Sequence, residues 1–269
     1  MIRISLITPT NNSEKTIIRN VQSILKQTFK EFEHIIIDNL SSDGTVQLIK
    51  NAYEKAGLSL NLKIISEKDT GISDAFNKGI RNSNSDVIGI LNSDDYFSDE
   101  FVLERVSKEF LNENILFVHG NVFFKDELYG SNVRKPLLCP IQEAMPFNHP
   151  TMFFRKIVYE KYGLFSTSYQ YAMDYEFICR LENLIPNFRS KGIYLDGNPL
   201  CVMSAGGVSW ENEVGGLNEV KRSLMQHGFW NLNAKLKYLN RILRTRLKHI
   251  MNITSLTVII KIWRNLKWS

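Results

Sequence analysis

The chain of 269 residues has little cysteine and no pairing pattern for it. Cys139, Cys179 and Cys201 are odd in number, far apart and never spaced as C-x-x-C, which argues against a disulfide framework and a cysteine-ligated zinc site. A reducing, cytoplasmic compartment is the expectation. Two phosphate-binding signatures are also missing: neither G-x-G-x-x-G nor a P-loop lysine motif occurs, so the dinucleotide and P-loop designs are excluded. No long apolar run is present. The stretch from Ile253 to Trp263 is interrupted by Thr254, Ser255, Thr257 and Lys261 and falls short of the roughly 20 residues that span a bilayer. Met1 to Thr10 carries no charged leader region or small-residue cleavage site, so no secretion signal is expected there. Acid is missing from the end of the chain. Glu219 is the last acidic residue, and 11 of the 33 Lys and Arg residues follow it, leaving 22 bases against 28 acids before it. The net +5 therefore conceals an acidic body and a basic tail, unlike a uniformly basic nucleic-acid protein, and no nucleic-acid partner is expected.

What is present is ordinary for a globular protein: 43% apolar and 23% charged residues, and a length that suits one large domain plus an appendage. Strand-length apolar runs at Arg3 to Thr8, His34 to Asp38, Leu62 to Ser66 and Val87 to Leu91 alternate with helical patterns at Ser13 to Gln27, Thr45 to Ala56 and Ser73 to Arg81. Cap-type residues Asn12, Asp43 and Gly71 open those helices. Leu103 to Leu111 and Ala172 to Leu184 read as further helices, and Ile115 to Gly120 and Asn121 to Tyr129 as strands. The alternation predicts an α/β fold with a mostly parallel central sheet flanked by helices, Rossmann-like in its nucleotide-binding half.

Polar and acidic residues recur just after each of the first four strands: Thr8, Pro9, Thr10 and Asn11, then Asp38 and Asn39, then Asp69, then Ser93, Asp94 and Asp95. In an open α/β sheet these ends face the ligand crevice, so the groups should converge. Any one such Asp is as readily a turn former or helix cap. Four in succession point to a shared site, and gathered carboxylates call for a divalent cation, Mg²⁺ or Mn²⁺ by their hard oxygen donors.

The segments Thr8-Pro-Thr-Asn-Asn, Asp38-Asn-Leu-Ser-Ser-Asp-Gly-Thr, Glu67-Lys-Asp-Thr-Gly through Gly79, and Leu91-Asn-Ser-Asp-Asp resemble, in order, the motifs of family 2 glycosyltransferases of the GT-A fold. The resemblance covers residues 1 to about 210 and continues in Asn148-His-Pro-Thr-Met-Phe-Phe-Arg and in Met173-Asp-Tyr-Glu-Phe followed by Arg180, which are similar to the acceptor half of bacterial polysaccharide enzymes. It implies a GT-A domain over residues 1–215, with a nucleotide-sugar half at 1–97 and an acceptor half at 98–215, and a basic tail at 216–269. It implies an inverting transfer from a nucleotide diphosphate sugar, a UDP-sugar by the family's habit, to a hydroxyl of a growing surface glycan, either free or lipid-linked. Thr8, Pro9 and Asn11 would line the base pocket, Asp38 would bond the base, Asp69 would sit near base and ribose, and Asp94 near ribose and diphosphate. Asp95 would be the ligand of Mn²⁺ or Mg²⁺, with Ser93 departing from the first Asp of D-x-D. Asp174 would be the general base, with Lys78 or Arg180 adding positive charge at the diphosphate. His149 is either a structural histidine or a group near diphosphate, metal or acceptor. Gly206-Gly207 is either a mobile loop over the donor or a tight turn.

The rival within enzymology, a metal-dependent sugar nucleotidyltransferase, would place a glycine-rich basic loop after the first strand, and Pro9-Thr10-Asn11-Asn12 has no glycine. The rival from another class rests on the tail. Leu232, Leu236, Leu239, Leu243, Leu247 and Ile250 recur at helical spacing, with Lys235, Lys237, Arg241, Arg244 and Lys248 between them and Trp230, Trp263 and Trp268 nearby. This stripe either packs on the body or a second copy, or docks on an anionic membrane as a peripheral protein on the inner face.

Overall fold

The computed structural model describes residues 2–126, 130–204 and 212–253, with side chains of the last helix described to Leu247. The Gly206-Gly207 reading, Ile250, Lys248, Trp263 and Trp268 lie outside what is described. Three βα units open the chain: β1 (Ile4–Thr10) and α1 (Ile17–Leu25), β2 (Phe32–Asp38) and α2 (Thr45–Lys55), β3 (Leu62–Ser66) and α3 (Ile72–Arg81). Then follow β4 (Val87–Ile90), β5 (Tyr96–Phe97), α4 (Val102–Glu109), β6 (Phe117–Gly120), β7 (Val122–Lys125) and β8 (Asn132–Arg134). β9 (Phe153–Arg155), α5 (Lys156–Tyr162), α6 (Met173–Leu184), β10 (Gly192–Leu195), β11 (Cys201–Ser204), α7 (Glu213–Gln226) and α8 (Leu232–Ile253) complete it.

A seven-stranded sheet runs β10-β6-β9-β4-β1-β2-β3, parallel except for β9, which is antiparallel to β4 and β6. A four-stranded sheet, β5-β11-β7-β8, sits beside it. The central strands are apolar on both faces because helices cover both. Along β2, Ile36 packs with Ile17, Val21, Ile49 and Tyr53 of α1 and α2, while Ile35 and Ile37 join Phe76 and Ile80 of α3 on the opposite face. Each such fully buried side chain contributes about 1.5–3 kcal/mol. α3 lies close on β1 because Gly79 has no Cβ to strike Ile7. The helix that delivers Lys78 is thereby seated directly over the strand that delivers Pro9.

The expected boundary at residue 215 falls inside a helix, since α7 begins at Glu213. Leu224 of α7 and Ala234 of α8 belong to the main core, with Phe229 and Trp230 packed against it. The start of the basic tail is thus part of the body. The leucine stripe of α8 is not what packs there: Leu232, Leu236, Leu239 and Leu243 are all exposed. Small and polar residues do the packing, because α8 crosses a surface that α7 has already closed with its own apolar groups.

Candidate active site

The C-terminal ends of β1 to β4 are knitted into one rim by side chains from neighbouring loops. Asp38 is fully buried at the end of β2 and accepts hydrogen bonds from Thr10 Oγ1 at 3.1 Å, Ser41 N at 3.1 Å and Ser66 Oγ at 2.6 Å. Its carboxylate thus clamps β1, β2 and β3 together at the strand ends. Thr8 is likewise interior. Its hydroxyl meets His34 Nε2 at 2.9 Å, and His34 Nδ1 meets Tyr53 Oη at 2.7 Å, on the α2 side of the sheet. Burial pushes His34 down to about 3. The β alternation that sends Thr8 inward leaves half-buried Pro9 and exposed Asn11 as the β1 residues open to a ligand.

Asn39, beside Asp38, is half-buried, and its Oδ1 accepts the Asp69 N–H at 3.0 Å. Asp69 Oδ1 in turn accepts the Gly71 N–H at 3.0 Å, at a backbone with φ +130 that favours glycine. Lys78 closes this loop from α3: its ammonium meets the Lys68 carbonyl at 2.7 Å, Glu67 at 3.0 Å and Asp74 at 3.6 Å. Lys78 therefore braces the Asp69 loop.

The turn after β4 is fastened on three sides. Ser93 Oγ pairs with Ser13 Oγ at 2.9 Å, which gives the serine at the D-x-D position a joining role between the β1 and β4 loops. Asn20 Nδ2 donates to the Asn92 and Asp95 carbonyls at 2.9 and 3.0 Å. Asp95 is 2% exposed. Burial first, then the neighbouring Asp94, push its carboxyl up to about 8 against hydrogen bonds from the Ser204 N–H and the Asn92 side chain. Asp94 is half-buried and the more open of the two. Among the described residues no three His, Cys, Asp or Glu side chains form a metal cluster. An Mg²⁺ or Mn²⁺ ion that keeps waters and shares phosphate oxygens needs only one or two carboxylates, and this pair fits that requirement.

From the other half of the molecule come Asp174, in the first turn of α6, and His149, just before β9. They share a narrow cavity with Ile90, the last residue of β4, and the rings of Phe154, Tyr159 and Phe165. His149 stacks on Phe76 with centroids 5.8 Å apart, and burial lowers its pKa against the opposing pull of Asp174. Asp174 is half-buried, with Oδ1 accepting its neighbour Tyr175 N–H at 2.8 Å. The structure thus brings Asp174 and His149 to the end of the strand that leads to Asp94.

Arg180 is not available to a diphosphate. Its guanidinium binds Glu176 through Nε at 3.2 Å and Nη2 at 3.0 Å, and the Tyr162 and Leu164 carbonyls at 2.8 and 2.7 Å. Glu176 also meets His227 Nε2 at 3.0 Å, so it faces away from Asp174's side of the helix. One supporting residue had no sequence motif. Glu219 of α7 accepts the N–H groups of Gln170, Tyr171 and Ala172 at 2.9, 2.8 and 2.9 Å, ahead of the first turn of α6. Its only mark in the sequence is to be the last acid before the basic tail.

A parallel sheet whose strand ends carry an acidic turn, with a second carboxylate brought across from a later helix, defines an α/β enzyme of the GT-A fold. Residues 5–174 match the sequence model described as Glycosyl transferase family 2, and the chain belongs to that family. It is 27% identical over 188 residues to chondroitin synthase of Escherichia coli, covering 68% of this chain and 27% of that protein. S. aureus TarS 1-349 in complex with UDP superposes with TM-score 0.61 at 20% identity, over 83% of this chain and 66% of that one. The mannosyltransferase PcManGT from Pyrobaculum calidifontis, in complex with GDP-Man and Mn2+, gives TM-score 0.66 at 15% identity over 98% of this chain and 83% of that one. The chain spans about a quarter to about half the length of the first curated relatives it matches.

Proposed function

We propose that the protein transfers a hexosyl or N-acetylhexosaminyl group from a nucleotide diphosphate sugar, of the UDP class, to a hydroxyl of a surface glycan, with inversion. The observation that carries this reading is the shared cavity of Asp174 and Ile90, which puts a half-buried carboxylate beside the end of β4, the strand whose following turn carries Asp94 and Asp95. The acceptor oxygen attacks the anomeric carbon, the bond from that carbon to the diphosphate breaks, and the hydroxyl proton passes to Asp174. Pro9, Asn11, Asn39 and Asp69 lie along the rim where a nucleoside would rest, and Asp38 and Lys78 keep that rim in shape. Asp94 and Asp95 would hold a divalent cation, which supplies Lewis-acid neutralisation of the leaving diphosphate when bound. The UDP, UDP-GlcNAc and GDP-Man complexes of the structural neighbours support a nucleotide-sugar donor.

The test is calorimetric titration with UDP in the presence and absence of Mn²⁺. Wild type should bind in a Mn²⁺-dependent manner, and Asp95→Ala or Asp94→Ala should lose that dependence while melting cooperatively. Unchanged, metal-dependent affinity in both variants would remove the acidic turn from the site.

A further inference from the structure

α8 lies on the body through one face and turns the opposite face outward. On the inward side Ala234 is buried, Lys237 Nζ meets Glu143 at 3.1 Å, and Tyr238 Oη donates to Asn218 at 2.8 Å. Arg241 follows on the same side and is half-buried. At about 3.6 residues per turn, Leu232, Leu236, Leu239, Leu243 and Leu247 form a row half a turn away. Each of the five is at least 49% exposed. Lys235 and Arg246 are exposed along one edge of that row. Among the described residues no helix is long and apolar enough to cross a membrane.

Five neighbouring exposed leucines on one helix are an interaction surface and not an incidental scatter. The body cannot cover them, because it already holds the other face. A second copy meeting this face on a two-fold axis would set like against like. Lys235 and Arg246, exposed along the edge of the row, would then face their own copies across the axis, like charge against like. An anionic lipid surface accommodates both features, with leucines entering the acyl boundary and Lys235 and Arg246 lying among the headgroups. The sequence continues in the same character, with Trp263 and Trp268 among Lys261, Arg264 and Lys267.

We propose that the outward face of α8 docks the protein on an anionic membrane surface, with the helix lying in the plane of the interface. This does not depend on the glycosyl-transfer reading. The full chain is sedimented with vesicles of phosphatidylcholine alone and of phosphatidylcholine with phosphatidylglycerol, at about 0.1 M and about 1 M salt. It should pellet with the anionic vesicles at low salt and be released at high salt. Leu239→Gln/Leu243→Gln should weaken partitioning at least about tenfold, and Lys235→Gln/Arg246→Gln should weaken it on anionic vesicles, with UDP binding and melting temperature unchanged. Wild-type partitioning by the leucine variant, equal binding to both vesicle types, or no binding to either would overturn the proposal. A dimer in sedimentation velocity that Leu239→Gln/Leu243→Gln dissociates would assign the face to a second copy instead.

Discussion

The two halves of the crevice are built over different distances along the chain. On the donor side Thr10, Ser41 and Ser66 reach Asp38 from adjoining βα units, and Ser13 and Asn20 fasten the β4 turn. Apart from the Ser41 bond, which is local to the turn after β2, each joins segments that neighbouring parallel strands place side by side. On the acceptor side the segment leading into α6 is held by Glu219 of α7, and Glu176 is met by His227, just past the end of α7. A repeating βα scaffold can form its ligand rim from its own loops, whereas a base on a lone helix must be aimed by elements that come later. The start of the basic tail is what aims it here.

The largest expected effect separates the two halves outright. Asp174→Asn keeps the oxygen that accepts the Tyr175 N–H but cannot take a proton, so turnover should fall by roughly 10² to 10⁴. UDP affinity should stay within error, since among the described residues no hydrogen bond or ion pair ties Asp174 to the donor rim. Normal UDP release with acceptor present would make Asp174 structural and leave His149 as the next group to test. A loss of UDP binding would instead mean that the division into halves is drawn in the wrong place.

Next in size is a stability effect confined to the acceptor side. Arg180→Met would leave Glu176, 2% exposed, with His227 as its remaining side-chain partner, and breaking a buried pair in this way costs about 3–5 kcal/mol. Urea unfolding should show the loss. A variant as stable as wild type would mean that Arg180 is not a brace, and would reopen its assignment to the diphosphate.

Much of the donor side could be read directly from sequence, for physical reasons. Two-sided burial makes β4 and the Ile35–Ile37 stretch of β2 apolar runs, and the loops after the first strands need Asn, Asp and Gly for their turns, so strand, loop and motif coincide. What could not be read is which polar residue at a strand end points in. Thr8 and Asp38 look like ligand groups by position, yet alternation on the strand sends both into hydrogen-bonded interiors. The three- and four-residue strands β9, β10 and β11 are too short to carry a period, so the antiparallel β9 left no trace. In α8 the leucine row dominates the pattern, and the face that touches the body, Ala234 with Tyr238 and Arg241, has no apolar stripe to announce it.

Acid titration compares the halves through two buried histidines. His34, in β2, is pushed down to about 3 and His119, in β6, to about 4, in both cases by burial. Unfolded histidine takes up its proton near pH 6.5, so from there down to about pH 4 the unfolded chain binds more protons than the folded one and stability falls as pH falls. Each group contributes a slope of up to about 1.4 kcal/mol per pH unit. His119 stacks on Tyr194 with centroids 5.3 Å apart and lies tilted against Phe147 at 4.6 Å, and its Nδ1 has no hydrogen-bond partner among the described residues. His119→Phe should therefore keep the packing and flatten the profile measured by urea unfolding between pH 7 and about 4. An unchanged slope would show that the acid sensitivity lies in the donor half.

The smallest expected effect probes how α7 aims the base. Glu219 brings a carboxylate to three N–H groups at the approach to α6, where the helix dipole also favours negative charge. Glu219→Gln keeps one acceptor oxygen and removes the charge, which should cost about 1 kcal/mol in thermal unfolding. A loosened first turn displaces Asp174, so kcat should fall severalfold while UDP affinity and the KM for donor stay unchanged. Glu219→Asp retains the charge but is one methylene short, and it should recover part of the stability and less of the rate, because aim depends on position more steeply than capping does. If Glu219→Gln lowered stability without touching kcat, Glu219 would be a cap alone, and the base would be positioned from within α6.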